Sequence, residues 1–274
     1  MTRSTLRRLA PSTLVGIAAA LIAVQAGSAA WAADSGTKHE TWNWSGTVAP
    51  GRTLAVYGVN GGISAVPAKG GQVEVVAEKT GRRQDPSEVK IEVTPTSDGV
   101  TICAVYPGMG SACDGHGWHS HGNRDNDVRV EFQLRVPPGV KLVAETVNGD
   151  VGVHGLSGTV RARTVNGGCT LETSRSGEAS TVNGSVTATL GEVPADESLR
   201  FATVNGSITL NLPAELNAEL DGGTVNGGIE TDFPVTVSGR WGPRSLHGVV
   251  GRGGAHLKLS TVNGGIALHR SASQ

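Results

Sequence analysis

Aromatic residues make up only 4% of this 274-residue chain, too few to fill a thick sandwich core with rings. Charge of one sign is missing as well: 23 Lys and Arg stand against 24 Asp and Glu. Setting aside Arg3, Arg7 and Arg8 leaves 20 basic and 24 acidic residues. Without a basic excess there is no electrostatic footprint for DNA or RNA, so nucleic acid is excluded as the expected partner. Cysteine is scarce, with three copies. Long apolar runs are rarer still. One spans Leu14–Val24, and no later stretch is long enough to cross a bilayer as a helix.

That single apolar run follows three arginines and leads into Ala30-Trp31-Ala32. The order of charge, apolar run and small residues is that of a secretory signal peptide over residues 1–32, cut after Ala32 or, as the close alternative, Ala33. The expected setting is therefore export: periplasmic, secreted or on the cell surface. Export permits disulfides. Cys103 and Cys113 flank a short Pro/Gly loop and are the expected pair. Cys169 occupies a repeat position held elsewhere by Val or Ile, which predicts a buried apolar thiol.

Glycine is abundant, at 40 residues, and much of it belongs to a repeat. Thr-Val-Asn-Gly recurs at 146–149, 164–167, 181–184, 203–206, 224–227 and 261–264, with a variant at 58–61. The turn asparagines are thus Asn60, Asn148, Asn166, Asn183, Asn205, Asn226 and Asn263. Residues 245–250 read as a weak further copy. Spacings of 17 to 22 residues from Asn148 to Asn226, with a Ser-Gly or Pro-based turn between many copies, mark one structural unit per repeat. Asn-Gly between apolar runs usually closes a two-residue hairpin. Here Val precedes the turn and the next apolar residue stands two past the Gly, as in Val204, Gly206 and Ile208. This unbroken period of two predicts one strand bent at a glycine, with Val and Ile inward and Thr and Asn outside or at the corner. The expected fold is an all-β solenoid or roll of Thr-Val-Asn-Gly rungs with an N-terminal β cap, preferred over an antiparallel sandwich. Residues 33–136 read as an N-terminal strand region carrying a Gly/His-rich loop at 107–127. Residues 137–270 read as the repeat region, continuous with it as one domain.

The Val-Asn-Gly repeats, the Pro-turn spacing and the stretch Val-Thr-Ile-Cys-Ala-Val-Tyr-Pro at 100–107 resemble the bacterial putative-adhesin family of exported β-strand repeat proteins, a domain of unknown function. The resemblance covers about residues 40–270. It implies an all-β repeat fold and a cell-envelope or secreted setting, and it carries no catalytic residues.

Candidate chemistry is sparse. The Asn and Thr rows could face a glycan or a cation, but turn geometry and β propensity account for both residue types. The loop at 114–127 holds the one metal-like group: His116, His119 and His121 with Asp114 or Asp125, donors suited to a divalent transition metal. Its Gly, Ser and Asn content favours the plainer reading of a solvated loop. Carboxylates on the repeats are scattered without a recurring pair. The expected function is a non-enzymatic, adhesin-like binding or structural protein whose partner is a protein or glycan at the cell envelope. The alternatives are a periplasmic metal-binding or envelope-stress accessory protein using the His loop and, third, a carbohydrate-active β-helix enzyme.

Overall fold

The computed structural model describes residues 36–108, 113, 126–239 and 242–271. The expected signal peptide and the proposed metal ligands Asp114, His116, His119, His121 and Asp125 lie outside the described residues. From Gly36 onward the chain forms one compact unit.

The first strand among the described residues is an edge strand, β1 (Lys38–Gly46). A first coil follows, β2 (Thr53–Tyr57) and β3 (Ile63–Pro67) joined at Asn60-Gly61. Two strands come next, β4 (Val73–Gly81) and β5 (Lys90–Thr96). A second coil is made by β6 (Gly99–Val105) and β7 (Arg129–Val136), with segment 106–128 in place of an Asn-Gly corner. Regular coils succeed it: β8 (Lys141–Glu145) with β9 (Val151–Leu156), then β10 (Val160–Arg163) with β11 (Cys169–Thr173). After them come β12 (Gly177–Ser180) with β13 (Val186–Leu190), and β14 (Ser198–Ala202) with β15 (Ile208–Leu212). The chain ends with β16 (Ala218–Asn226) and β17 (Ile229–Thr231), the strands β18 (Thr236–Ser238) and β19 (Arg244–Val250), and a final coil, β20 (Ala255–Asn263) and β21 (Ile266–Arg270).

Each coil gives one strand to each of two facing sheets. Among the described residues, the 10-stranded sheet A runs β1-β4-β7-β3-β9-β11-β13-β15-β21-β17, and the 11-stranded sheet B runs β18-β19-β16-β20-β14-β12-β10-β8-β2-β6-β5. Pairing between coils is parallel, as in β11 with β13 and β10 with β12. The ends are closed by antiparallel strands: β1 on β4, β4 on β7 and β5 on β6 at one end, β19 on β16 and β18 on β19 at the other. This is the solenoid read from the repeat. Antiparallel end strands blunt edges that would otherwise template pairing with other chains.

The coil order departs from the chain order at both ends. The first coil sits between the second and the third, because β2 pairs with both β6 and β8, and β3 with both β7 and β9. The last coil sits between the two coils before it, because β20 pairs with both β14 and β16, and β21 with both β15 and β17. Two expectations are corrected here. Residues 53–59, 100–105 and 129–136 belong to coils of the stack and not to its cap. Residues 245–250 are no repeat copy but β19, antiparallel on β16.

The core is thin, as the shortage of rings required. Columns of aligned side chains run through it: Val151, Cys169, Val186, Ile208 and Ile266 are in register and at most 1% exposed. Cys169 thus holds the Val/Ile position its place in the repeat foretold. Burying one such aliphatic side chain contributes about 1.5–3 kcal/mol.

The corner reverses one expectation. Thr146, Thr164, Thr181, Thr203, Thr224 and Thr261 are buried, while Val165, Val182, Val204, Val225 and Val262 are 38–44% exposed. From Thr203 to Ile208, the next inward residue, is an odd step, so the corner breaks the period of two. The reason is the turn itself. From Asn60 to Asn263 each Asn makes an isolated bridge to the Asn of the next coil, and Asn226 meets Asn263 in the ladder of β16 and β20. The strand leaves that bridge facing the other way. Among these corner valines Val59, in the first coil, is buried.

Candidate functional site

The corner is built first from its backbone. A Cβ on Gly206 would overlap the carbonyl of Gly184, standing 2.5 Å from its carbon, and Gly184, Gly264 and Gly227 meet the coil beside them in the same way. Glycine is therefore required for close stacking more than for an unusual dihedral. That approach places each turn carbonyl against a buried threonine. Thr164 Oγ1 donates to Gly149 O at 2.8 Å, Thr181 Oγ1 to Gly167 O at 2.8 Å and Thr203 Oγ1 to Gly184 O at 2.8 Å. The threonine row faces the interior and presents no hydroxyl surface.

The asparagine row is continuous. Asn148 Nδ2 donates to Asn60 Oδ1, and the pattern repeats through Asn166, Asn183, Asn205, Asn263 and Asn226, each bond 2.8 Å long. Side-chain amides stacked in this way satisfy one another, as in cross-β ladders. Their donors and acceptors are spent within the fold, which weakens the row as a ligand site.

The described residues that flank the His-rich loop are firmly held. Cys103 and Cys113 form the expected disulfide. Cys113 packs with Ala55, Tyr57 and Cys103 on the outside of sheet B. Tyr106 Oη donates to Val128 O at 3.1 Å and to Asn60 O at 3.3 Å, and burial pushes its phenol far above the ordinary value. Asp127 accepts from the backbone amides of Gln84, Arg83 and Arg82 at 2.8–3.3 Å. Those amides, that of Gln84 foremost, hold its carboxyl below the usual carboxylate range.

The recess that offers the most lies elsewhere, on the outside of sheet A. It is a groove of about 670 Å3 where the antiparallel end meets the parallel stack. Its floor is made of small residues, Gly62, Ser64 and Gly152, on or beside β3 and β9. Its wall is the outward row of β7, Arg129, Glu131, Gln133 and Arg135, backed by Glu74 and Glu78 on β4. Glu78 and Glu131 are cross-strand partners, a like-charged pair that costs stability unless other groups offset it. Here Arg129 pairs with Glu131, Glu131 Oε2 accepts from Gly62 N at 2.7 Å, and Arg135 Nε stands 3.5 Å from Glu74. On the far side Asp150 Oδ1 accepts from Gly168 N at 2.7 Å. The result is a polar trough with fixed carboxylates and guanidinium donors over a low floor. Sequence reading missed it, because only register shows that Gly62 lies beside β7 and Gly152 one strand further, beyond Ser64 of β3.

No known family profile matches the sequence, and no curated protein matches it. Solved structures with a similar strand arrangement include a putative cell adhesion protein from Clostridium sporogenes, at 12% identity over 85% of this chain and 100% of that one, with a TM-score of 0.45. A putative adhesin from Bacteroides fragilis follows at 10% identity, 84% and 97% coverage and a TM-score of 0.30. A third, from Parabacteroides distasonis, stands at 11% identity, 84% and 97% coverage and 0.21.

Proposed function

We propose that this chain is an exported, non-enzymatic binding protein of the cell envelope, in which the solenoid is a rigid support and the groove on sheet A receives the partner. The observation that carries this reading is the groove: an open trough of guanidinium, carboxamide and carboxylate groups on β7, running beside the small residues Gly62, Ser64 and Gly152. Such a surface suits a hydroxyl-rich extended polymer, an envelope glycan before a protein. The groups hydrogen-bond in plane, and the low floor admits a chain lying along the strands. The disulfide supports export, since such bonds persist in oxidising compartments. Glu74, Glu131 and Asp150 at the groove are tied to arginines or backbone amides, an arrangement for holding and not for moving protons.

The test is binding of the purified chain, lacking residues 1–32, to immobilised envelope polysaccharides. Arg135→Ala with Gln133→Ala should cut retention at least about tenfold, the equivalent of one lost charge-assisted hydrogen bond, with unchanged thermal unfolding. Retention untouched by that pair, or measurable turnover of the polysaccharide, would overturn the reading.

A further inference from the structure

All seven turn asparagines are followed by glycine, the sequence most open to deamidation because no side chain shields the following nitrogen. In that reaction the deprotonated backbone nitrogen of the glycine attacks Cγ of the asparagine. The Cγ–Nδ2 bond breaks, ammonia leaves with the proton, and a five-membered succinimide forms. Water then opens either carbonyl, giving aspartate or isoaspartate. No oxidant or reductant enters.

The corner blocks both reacting groups, coil by coil. The glycine N–H is held by the next coil: Gly61 N donates to Asn148 O, Gly149 N to Asn166 O, Gly167 N to Asn183 O, Gly184 N to Asn205 O, Gly206 N to Asn263 O and Gly264 N to Asn226 O, at 2.7–3.0 Å. The amide is held as well, because each of these asparagines accepts at Oδ1 from the Nδ2 of the coil beyond it. Only the last coil of the stack, β16 with β17, lacks a successor coil: the antiparallel strand β19 covers β16 as far as Thr224 and leaves the Asn226 corner without a neighbour beyond it. There Asn226 donates to Asn263, but among the described residues nothing donates to its Oδ1 and nothing accepts from Gly227 N. The side chain is exposed. A cation also stands close by: a Cβ added at Gly228 would lie 3.6 Å from Arg244 Nη1, and positive charge favours the nitrogen anion that attacks.

We propose that Asn226-Gly227 is a spontaneous modification site, the one Asn-Gly of the seven that deamidates while the chain is folded. The interleaved topology selects it. Asn263 comes last in sequence, yet its coil lies inside the stack and Asn226 stands at the end. Conversion to isoaspartate adds a backbone atom between β16 and β17. It also replaces the amide donor to Asn263 with a carboxylate, so β17 loosens from β21.

The experiment is a time course of the folded protein at mildly alkaline pH and physiological temperature, read by peptide mapping with mass spectrometry, beside the same protein in strong urea. Two missing hydrogen bonds predict that Asn226 converts roughly 30-fold faster than any of the other six in the folded chain. In urea the seven should convert at similar rates. The proposal is overturned if another Asn-Gly converts first in the folded chain, if all seven keep pace, or if Asn226 stays intact while the urea sample converts.

Discussion

Exchanging the chemistry of Thr181 and Val182 tests the reversed corner most directly. Thr181 is 6% exposed and its hydroxyl donates to Gly167 O at 2.8 Å, whereas its neighbour Val182 is 39% exposed. Thr181→Val keeps the shape and removes the donor, leaving a turn carbonyl inside the stack without that partner. Such a loss costs about 1–3 kcal/mol. For a domain of this size, 1 kcal/mol moves Tm by about 2–4 °C, so a fall of roughly 4–8 °C is expected for a mid-range cost. Thr181→Ser keeps the donor and loses one buried methyl, about 1 kcal/mol. Val182→Thr places a hydroxyl in solvent on a strand-compatible side chain and should stay within about 0.5 kcal/mol. Urea unfolding of the three variants gives the order Val182→Thr, Thr181→Ser, Thr181→Val, from mildest to worst. If Val182→Thr proves the worst, the valines point inward after all and the account of the corner fails.

Four further outcomes follow from the same geometry. Gly206→Ala forces a methyl into the Gly184 carbonyl and should cost more than about 4 kcal/mol or prevent folding, read by circular dichroism. Burial raises the Cys169 thiol to about 12, so thiol reagents at neutral pH should label the protein only once it unfolds. Because its folded value lies above the unfolded one, the Cys169 contribution is complete below about pH 8.5 and fades as pH rises toward 12. Asp127 has the opposite sign. Its depressed carboxyl contributes above the unfolded value of about 3.9 and is lost as pH falls through the folded one, so Asp127→Asn should flatten the acid limb of a stability profile. Ending the chain at Gly254 removes β20 and β21, the coil on which both β16 and β17 rest. Limited proteolysis should then cut first within residues 214–250.

The solenoid was legible because its signal is local. Asn-Gly at near-constant spacing, with alternating apolar residues on both sides, needs no knowledge of distant partners. The direction of the corner valines was not. Whether a turn consumes an odd or an even number of residues depends on how its backbone bridges the next coil, and Thr is as good a strand residue inside as outside when a carbonyl waits for it. The interleaving of the first and last coils was hidden for a different reason. Parallel coils share one hydrogen-bond pattern, so spacing alone ranks no neighbour above another. The 37-residue gap between Asn226 and Asn263 invited a missing repeat, where the structure places the antiparallel pair β18 and β19. The groove was invisible on the same ground, since it depends on which strand of the stack lies beside β7.

Tucking the last coil between its predecessors also gives the molecule a mechanical property. In an ordinary stack, tension on the final coil peels it away one bond at a time from a single neighbour. Here a pull on the segment after Arg270 acts on a strand gripped along both edges, by β15 and by β17. Load is then shared in shear across two ladders at once. Peeling must begin with the neighbouring coil, which a pull along the chain reaches only after β20 has slipped. The consequence is a stack that resists traction applied through the segment after Arg270.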